Sequence, residues 1–168
     1  MIENAVSPAR VPPRPNATWI VWLAEGCGLG RAQQAPGTWG SLLGLPLVWL
    51  LQLSPWPEWT CGIAAVGMFL IGIPVCAAGM RYYQKPDPGH VVFDEIAAFP
   101  IVFLLVPLNW WSAPLGFGLF RLFDIAKPWP ISRAERIPGA TGVMADDTIA
   151  GLLAAIPLTL LYLWLLAN

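Results

Sequence analysis

Residues 61–80 read CGIAAVGMFLIGIPVCAAGM, a run without one charged side chain. About 20 such residues in a helix cross the hydrocarbon core of a bilayer. Residues 149–166, IAGLLAAIPLTLLYLWLL, exceed the lower limit of about 17. Three shorter apolar stretches lie around these two: Leu42–Leu53, Ile96–Leu108 and Trp110–Phe123. The first can extend back through Trp39. Ile96–Leu108 can extend back to Val91 only by drawing Asp94 and Glu95 toward the membrane, where an acid is costly and marks a functional candidate. A short piece, Trp19–Ala24, reads as an interfacial segment, and Trp56, Trp59, Trp110 and Trp111 fit an aromatic belt at the turns. The fold class these patterns predict is all-α: an integral membrane helical bundle with four or five spans.

Composition agrees. Charged residues make up 11% of the 168-residue chain, against about 25% in a soluble domain, so lipid must cover much of its surface. The net charge of −1 and the lack of a basic, aromatic-interleaved patch exclude a nucleic-acid partner. Residues 1–18 are polar and Pro-rich, without the apolar core of a cleavable signal, and residues 19–168 form the membrane domain. Cys27, Cys61 and Cys76 follow no zinc or CxxC spacing and are expected as free, buried thiols.

The charges predict an orientation. Arg10, Arg14 and Arg31 precede the first stretch, Arg81 and Lys85 follow the second, and Arg121, Lys127, Arg133 and Arg136 lie between the fourth and fifth. If all five stretches cross, every basic residue falls on one side. The positive-inside rule makes that side cytoplasmic, with the N-terminus inside and the C-terminus outside. Asp87, Asp94, Glu95, Asp124, Asp146 and Asp147 share that side, while the turns Ser54–Thr60 and Pro107–Ser112 are almost uncharged. A one-sided site is expected.

Four segments carry its chemistry. Residues 26–41, GCGLGRAQQAPGTWGS, offer backbone amides, Arg31, Thr38 and Ser41; the plain structural alternative is a loop with Thr38 or Ser41 as a helix cap. In DPGHVVFDE (87–95), the adjacent Asp94 and Glu95 repel each other, and a divalent cation would relieve them. His90 reads as an ordinary solvated or hydrogen-bonded residue. In FRLFDIAKPWP (120–130), Arg121 and Asp124 are one helical turn apart with Lys127 beyond, and Pro128 ends the helix. They are either a surface ion-pair ladder or a carboxylate with two phosphate-binding cations. In PGATGVMADDTIAG (138–151), Asp146 and Asp147 open the last span; one could cap it, and two exceed what capping needs. Oxygen-only acids suit Mg²⁺ or Mn²⁺ rather than zinc. Beside Arg and Lys at a membrane surface, they point to metal-assisted chemistry on a phosphorylated lipid headgroup. Asp94, Glu95, Asp146 and Asp147 are the expected metal ligands, supported by Asp124 or Asp87. Arg121, Lys127 and Thr38 are the expected phosphate contacts.

The ordered set PGTWGS, DPGHVVFDE, FRLFDIAKPWP and TGVMADDTIAG resembles the phosphatidylglycerophosphatase A family, from about Trp19 to the end of the last span. That resemblance implies a Mg²⁺-dependent phosphatase of the bacterial inner membrane. It would remove the terminal phosphate of phosphatidylglycerophosphate to give phosphatidylglycerol, with its active site facing the cytoplasm and Asp94, Glu95, Asp124, Asp146 and Asp147 at the catalytic centre. Ala98 and Ala140 stand where the family pattern has glycine. One histidine cannot serve a type 2 phosphatidic acid phosphatase, and the DxDx(T/V) motif of haloacid-dehalogenase phosphatases is absent. The non-enzymatic alternative is a small membrane transporter or scaffold with an acidic cation site. Its acids would be expected near the bilayer midplane, whereas here they flank the apolar stretches.

Overall fold

The computed structural model describes residues 18–168. Arg10, Arg14 and nearly all of the polar N-terminal segment lie outside the described residues. The chain forms α1 (Trp19–Ala24), a 3₁₀ turn (Leu29–Arg31), α2 (Pro36–Gln52), α3 (Pro57–Tyr83), α4 (Phe93–Val102), α5 (Ser112–Ala126), α6 (Ile131–Ala134) and α7 (Ala140–Ala167). The all-α expectation holds across the described residues.

Among the described residues, two helices, α3 and α7, are long and apolar enough to cross a membrane. Their outward faces carry Ile63, Leu70 and Ile71 on α3 and Leu152, Ile156 and Leu160 on α7, all exposed. Only 28% and 22% of their most apolar windows are buried within the protein. A soluble core helix would be mostly covered by its own chain, so these faces call for an apolar solvent. The stretch beginning at Leu42 does extend back past Trp39, since α2 starts at Pro36.

α4 is the centre of the bundle. It packs against α2, α3 and α7, while α5 and α6 cover other parts of α7. Phe99, Val102 and Phe103 join Val48, Phe120, Ala154 and Leu158 in one core cluster. A second cluster joins Val75 and Cys76 of α3 to Ala97 of α4 and Met144 of α7. Small residues bring these backbones close: a Cβ on Gly44 of α2 would collide with the Phe99 ring.

The apolar run Ile96–Leu108 is not one helix. α4 has 10 residues, roughly 15 Å, and the chain continues without helix from Phe103 to Trp111. Non-helical backbone among apolar helices needs partners from the protein. Gln52, at the end of α2, supplies them. Its amide donates to the carbonyls of Phe103 and Val106, both at 3.1 Å, and accepts the Leu108 N–H at 2.7 Å. The Ser112 hydroxyl donates to the Pro107 carbonyl, and Asn109 Oδ1 accepts the N–H groups of Trp111 and Ser112.

Several local expectations change. Ala35 precedes α2, so Thr38 and Ser41 lie inside the helix and cap nothing. α7 begins at Ala140, so Asp146 and Asp147 do not open it; they lie inside the helix, where no cap is needed, and both are buried. Cys61 and Cys76 are buried, but Cys27 is exposed on a turn at φ +59°. The positive φ before α7 belongs to Gly139, not Ala140, and Ala98 is an ordinary helical residue. Alanine therefore fits both positions where the family pattern has glycine.

Candidate active site

The beginnings of α2, α4 and α7, the end of α5 and the turn after α6 meet around a cleft of about 470 Å³. All four sequence segments reach it. Seven acids line it (Asp87, Asp94, Glu95, Asp124, Glu135, Asp146 and Asp147) against three cations (Arg121, Lys127 and Arg136). An excess of four negative charges is a poor receptor for an anion unless positive charge is added.

Asp94 and Glu95 occupy the first turn of α4, where the helix dipole favours acids. Glu95 is well partnered. Ser41 donates to its Oε2 at 2.5 Å, and Arg121 Nη1 lies 3.1 Å from the same oxygen. A Cβ on Gly37 would strike this carboxylate, so a larger residue there would push Glu95 aside.

Asp94 is 7% exposed, and its Oδ1 accepts the Glu95 N–H at 3.0 Å. Asp147, 5% exposed on α7, lines the same cleft as Asp94. Among the described residues, neither Asp94 nor Asp147 pairs with a cation.

The cations divide the remaining acids. Arg121 holds Asp124 at 2.7 Å, one helical turn away as the sequence suggested, and also contacts Ser41 at 3.4 Å. Lys127 does not extend that ladder. α5 ends at Ala126, Lys127 turns to φ +42°, and its Nζ binds Asp146 at 2.9 Å and Glu135 at 2.8 Å. Burial alone would lower the Lys127 pKa, but those two acids outweigh it and hold the ammonium above its ordinary value.

Thr38 is not among the cleft-lining residues; the first turn of α2 contributes Pro36 and Gly37, with Ser41 reaching Glu95 from behind. Glu135 escaped the sequence reading. Its only signal was an acid among the arginines of residues 133–136. Arg31 turns away from the cleft to the buried Glu25, at 2.7 Å, and Tyr83 donates to the other oxygen of that acid at 2.5 Å. His90 packs edge-on against Tyr83.

Among the described residues, no group of three acids, cysteines or histidines is already arranged to hold a metal ion. The donor chemistry nonetheless suits a hard cation. The uncompensated acids are buried, line one cleft and are oxygen-only.

The sequence model of the family described as Phosphatidylglycerophosphatase A matches residues 22–162. The chain belongs to that family. It is 35% identical over 135 residues to Phosphatidylglycerophosphatase A of Escherichia coli strain K12, covering 79% of this chain and 77% of the relative. It is 36% identical over 146 residues to the Haemophilus influenzae protein of the same name, covering 86% and 89%. A Bacteroides thetaiotaomicron relative, 37% identical over 138 residues and covering 78% and 86%, is provisionally named a phosphatidylinositol-3-phosphatase. No solved structure matches the chain.

Proposed function

We propose that this family member is a phosphatidylglycerophosphatase that releases the terminal phosphate of phosphatidylglycerophosphate and leaves phosphatidylglycerol. The observation that carries the reading is the cleft itself: buried acids without cations stand beside Arg121 and Lys127, at one end of a lipid-facing bundle. The names of the relatives support this substrate.

In this reading Asp94 and Asp147 hold Mg²⁺, with Glu95 and Asp146 completing or orienting the set and Asp124 or Asp87 in support. Bound there, the ion would offset the excess negative charge and polarise phosphoryl oxygens. Arg121 and Lys127 release part of their hold on Asp124 and Asp146 and take phosphate oxygens. A water oxygen bonds to phosphorus as the ester P–O bond breaks. A cleft carboxylate accepts the water proton and passes it to the glycerol oxygen, which leaves as a hydroxyl. An aspartyl-phosphate route through one of these acids uses the same residues.

We further propose five crossings: α2, α3, α4 with the segment after it, α5 and α7. The cleft then opens at the cytoplasmic surface, where positive-inside charge places Arg31, Arg81, Lys85, Arg133 and Arg136. Cysteine labelling in residues 54–60 and 133–139 tests this, since both loops reporting one compartment would rule it out.

Phosphate release by the purified protein tests the activity. Substrates would be phosphatidylglycerophosphate, phosphatidic acid and phosphatidylinositol 3-phosphate, each in EDTA and in excess Mg²⁺. We expect Mg²⁺-dependent turnover strongest on phosphatidylglycerophosphate. Preference for the inositol lipid would move the substrate, and full activity in EDTA would remove the metal.

A further inference from the structure

Three cations line the cleft, and two are already engaged. Arg121 is held by Glu95 and Asp124, and Lys127 by Glu135 and Asp146. Arg136 forms no ion pair or side-chain hydrogen bond among the described residues. Its exposed side chain belongs to the cleft rim, away from the buried setting of Asp94, Asp146 and Asp147.

The backbone beneath it is well fixed. Ile131 and Ala134 bury α6 into the protein. The Arg136 and Ile137 N–H groups close a turn onto the carbonyls of Arg133 and Ala134, at 3.2 and 2.9 Å. α7 then packs directly on this turn, because a Cβ on Gly142 would collide with the Ile137 carbonyl. A free guanidinium on a rigid turn is suited to forked recognition of phosphate oxygens. Beside it, Ile137 and Pro138 line the same rim with apolar surface.

A lipid with two phosphates presents two different anions. The reacting monoester must meet the buried acids, with their metal, and Arg121 and Lys127. The diester, one glycerol nearer the acyl chains, stays behind it toward the rim. We propose that Arg136 binds the non-reacting phosphodiester and so selects lipids that carry a diester behind the terminal phosphate. This rests on the phosphatase reading above, which assigns the deep end of the cleft to the monoester.

The test uses the full-length protein in neutral-detergent micelles, with Arg136→Gln and Arg136→Lys. Two inhibitors separate the anions: phosphatidylglycerol carries only the diester, and inorganic phosphate resembles only the monoester. For Arg136→Gln we expect the KM for phosphatidylglycerophosphate and the Ki for phosphatidylglycerol each to rise about tenfold, as for one exposed charge-assisted contact. The kcat and the Ki for phosphate should stay within about twofold, the pattern of lost uniform binding. Lysine should restore part of the loss, because it keeps the charge but not the fork. A parallel rise in the Ki for phosphate, or a fall in kcat at constant KM, would overturn the proposal by placing Arg136 at the reacting group. No change in any constant would overturn it too, as would a wild-type enzyme insensitive to phosphatidylglycerol. If the wild type does not hydrolyse phosphatidylglycerophosphate, the functional reading fails instead. Equilibrium binding of phosphatidylglycerol to wild type and Arg136→Gln then still decides the subsite.

Discussion

The two ends of α4 both bury polar atoms among apolar helices, and they handle them in opposite ways. At the C-terminal end every polar group involved is neutral, and Gln52, Asn109 and Ser112 partner the irregular backbone. At the N-terminal end, buried acids outnumber the cations available to them, and Asp94 and Asp147 have none. A buried polar group that serves only the fold is normally neutral and satisfied. Concentrated, uncompensated charge costs stability, and is expected where binding a ligand or a reaction compensates for it. The contrast separates scaffold from site without appeal to any relative.

The most severe way to break this contrast is to remove charge from the acidic end. Asp94→Asn and Asp147→Asn keep side-chain size but remove charge from the proposed metal position. Each should lower kcat by about a hundredfold or more and raise the Mg²⁺ needed for half-maximal rate. Neither should cost stability in metal-free protein, because each removes a repulsive buried charge. Specific activity per folded molecule, over a Mg²⁺ titration, is the measurement. Near-normal activity in both variants would mean that the acids are structural after all.

Gln52→Ala attacks the other end and should do the reverse. It leaves the carbonyls of Phe103 and Val106 and the N–H of Leu108 without their side-chain partner. An unsatisfied buried group costs about 1–3 kcal/mol. The thermal midpoint in detergent should fall by several degrees, while kcat per folded molecule stays within about twofold of wild type. A large loss of kcat with unchanged stability would show that the two ends are not separable.

The same contrast explains what could be read in advance. Hydropathy located every long helix, because it reports burial in lipid or protein. It could not report that Ile96–Leu108 changes from helix to irregular chain at Phe103, since buried backbone of either kind needs apolar side chains. One available sign was Gln52, a polar residue near the end of an apolar stretch; Pro107 was another. At the other end, one-sided acids and bases revealed which segments share a site. Their pairing stayed hidden, because it depends on helix phase and on where helices begin. Starting α7 at Ala140 changes Asp146 and Asp147 from capping candidates into buried helical acids. The left-handed turn at Lys127 sends its ammonium to Asp146 and Glu135 rather than up α5 to Asp124.

The smallest expected effect compares two hydroxyls on α2. Thr38 lies nearer the loop and looks the better phosphate contact in sequence. Yet Ser41 is the hydroxyl that reaches the cluster, fully buried and donating to Glu95 at 2.5 Å, with Arg121 at 3.4 Å from its oxygen. Ser41→Ala removes one of the two partners of the Glu95 carboxylate and leaves the other, Arg121, in place. Its effect should therefore be partial, a loss of about three- to tenfold in kcat/KM, since only part of a charge-assisted bond worth about 1.5–3 kcal/mol acts on the reaction. Thr38 does not line the cleft, and Thr38→Ala should stay within about twofold. A serine that merely fills space would lower the thermal midpoint without changing kcat or KM. A serine that fixes Glu95 should change the Mg²⁺ requirement, because the carboxylate it orients belongs to the proposed metal set. If Thr38→Ala proves the more damaging variant, with the loss confined to KM, the loop end of α2 contacts the lipid phosphate directly. The Ser41–Glu95 bond then belongs with Gln52, among the contacts that hold α4 in place.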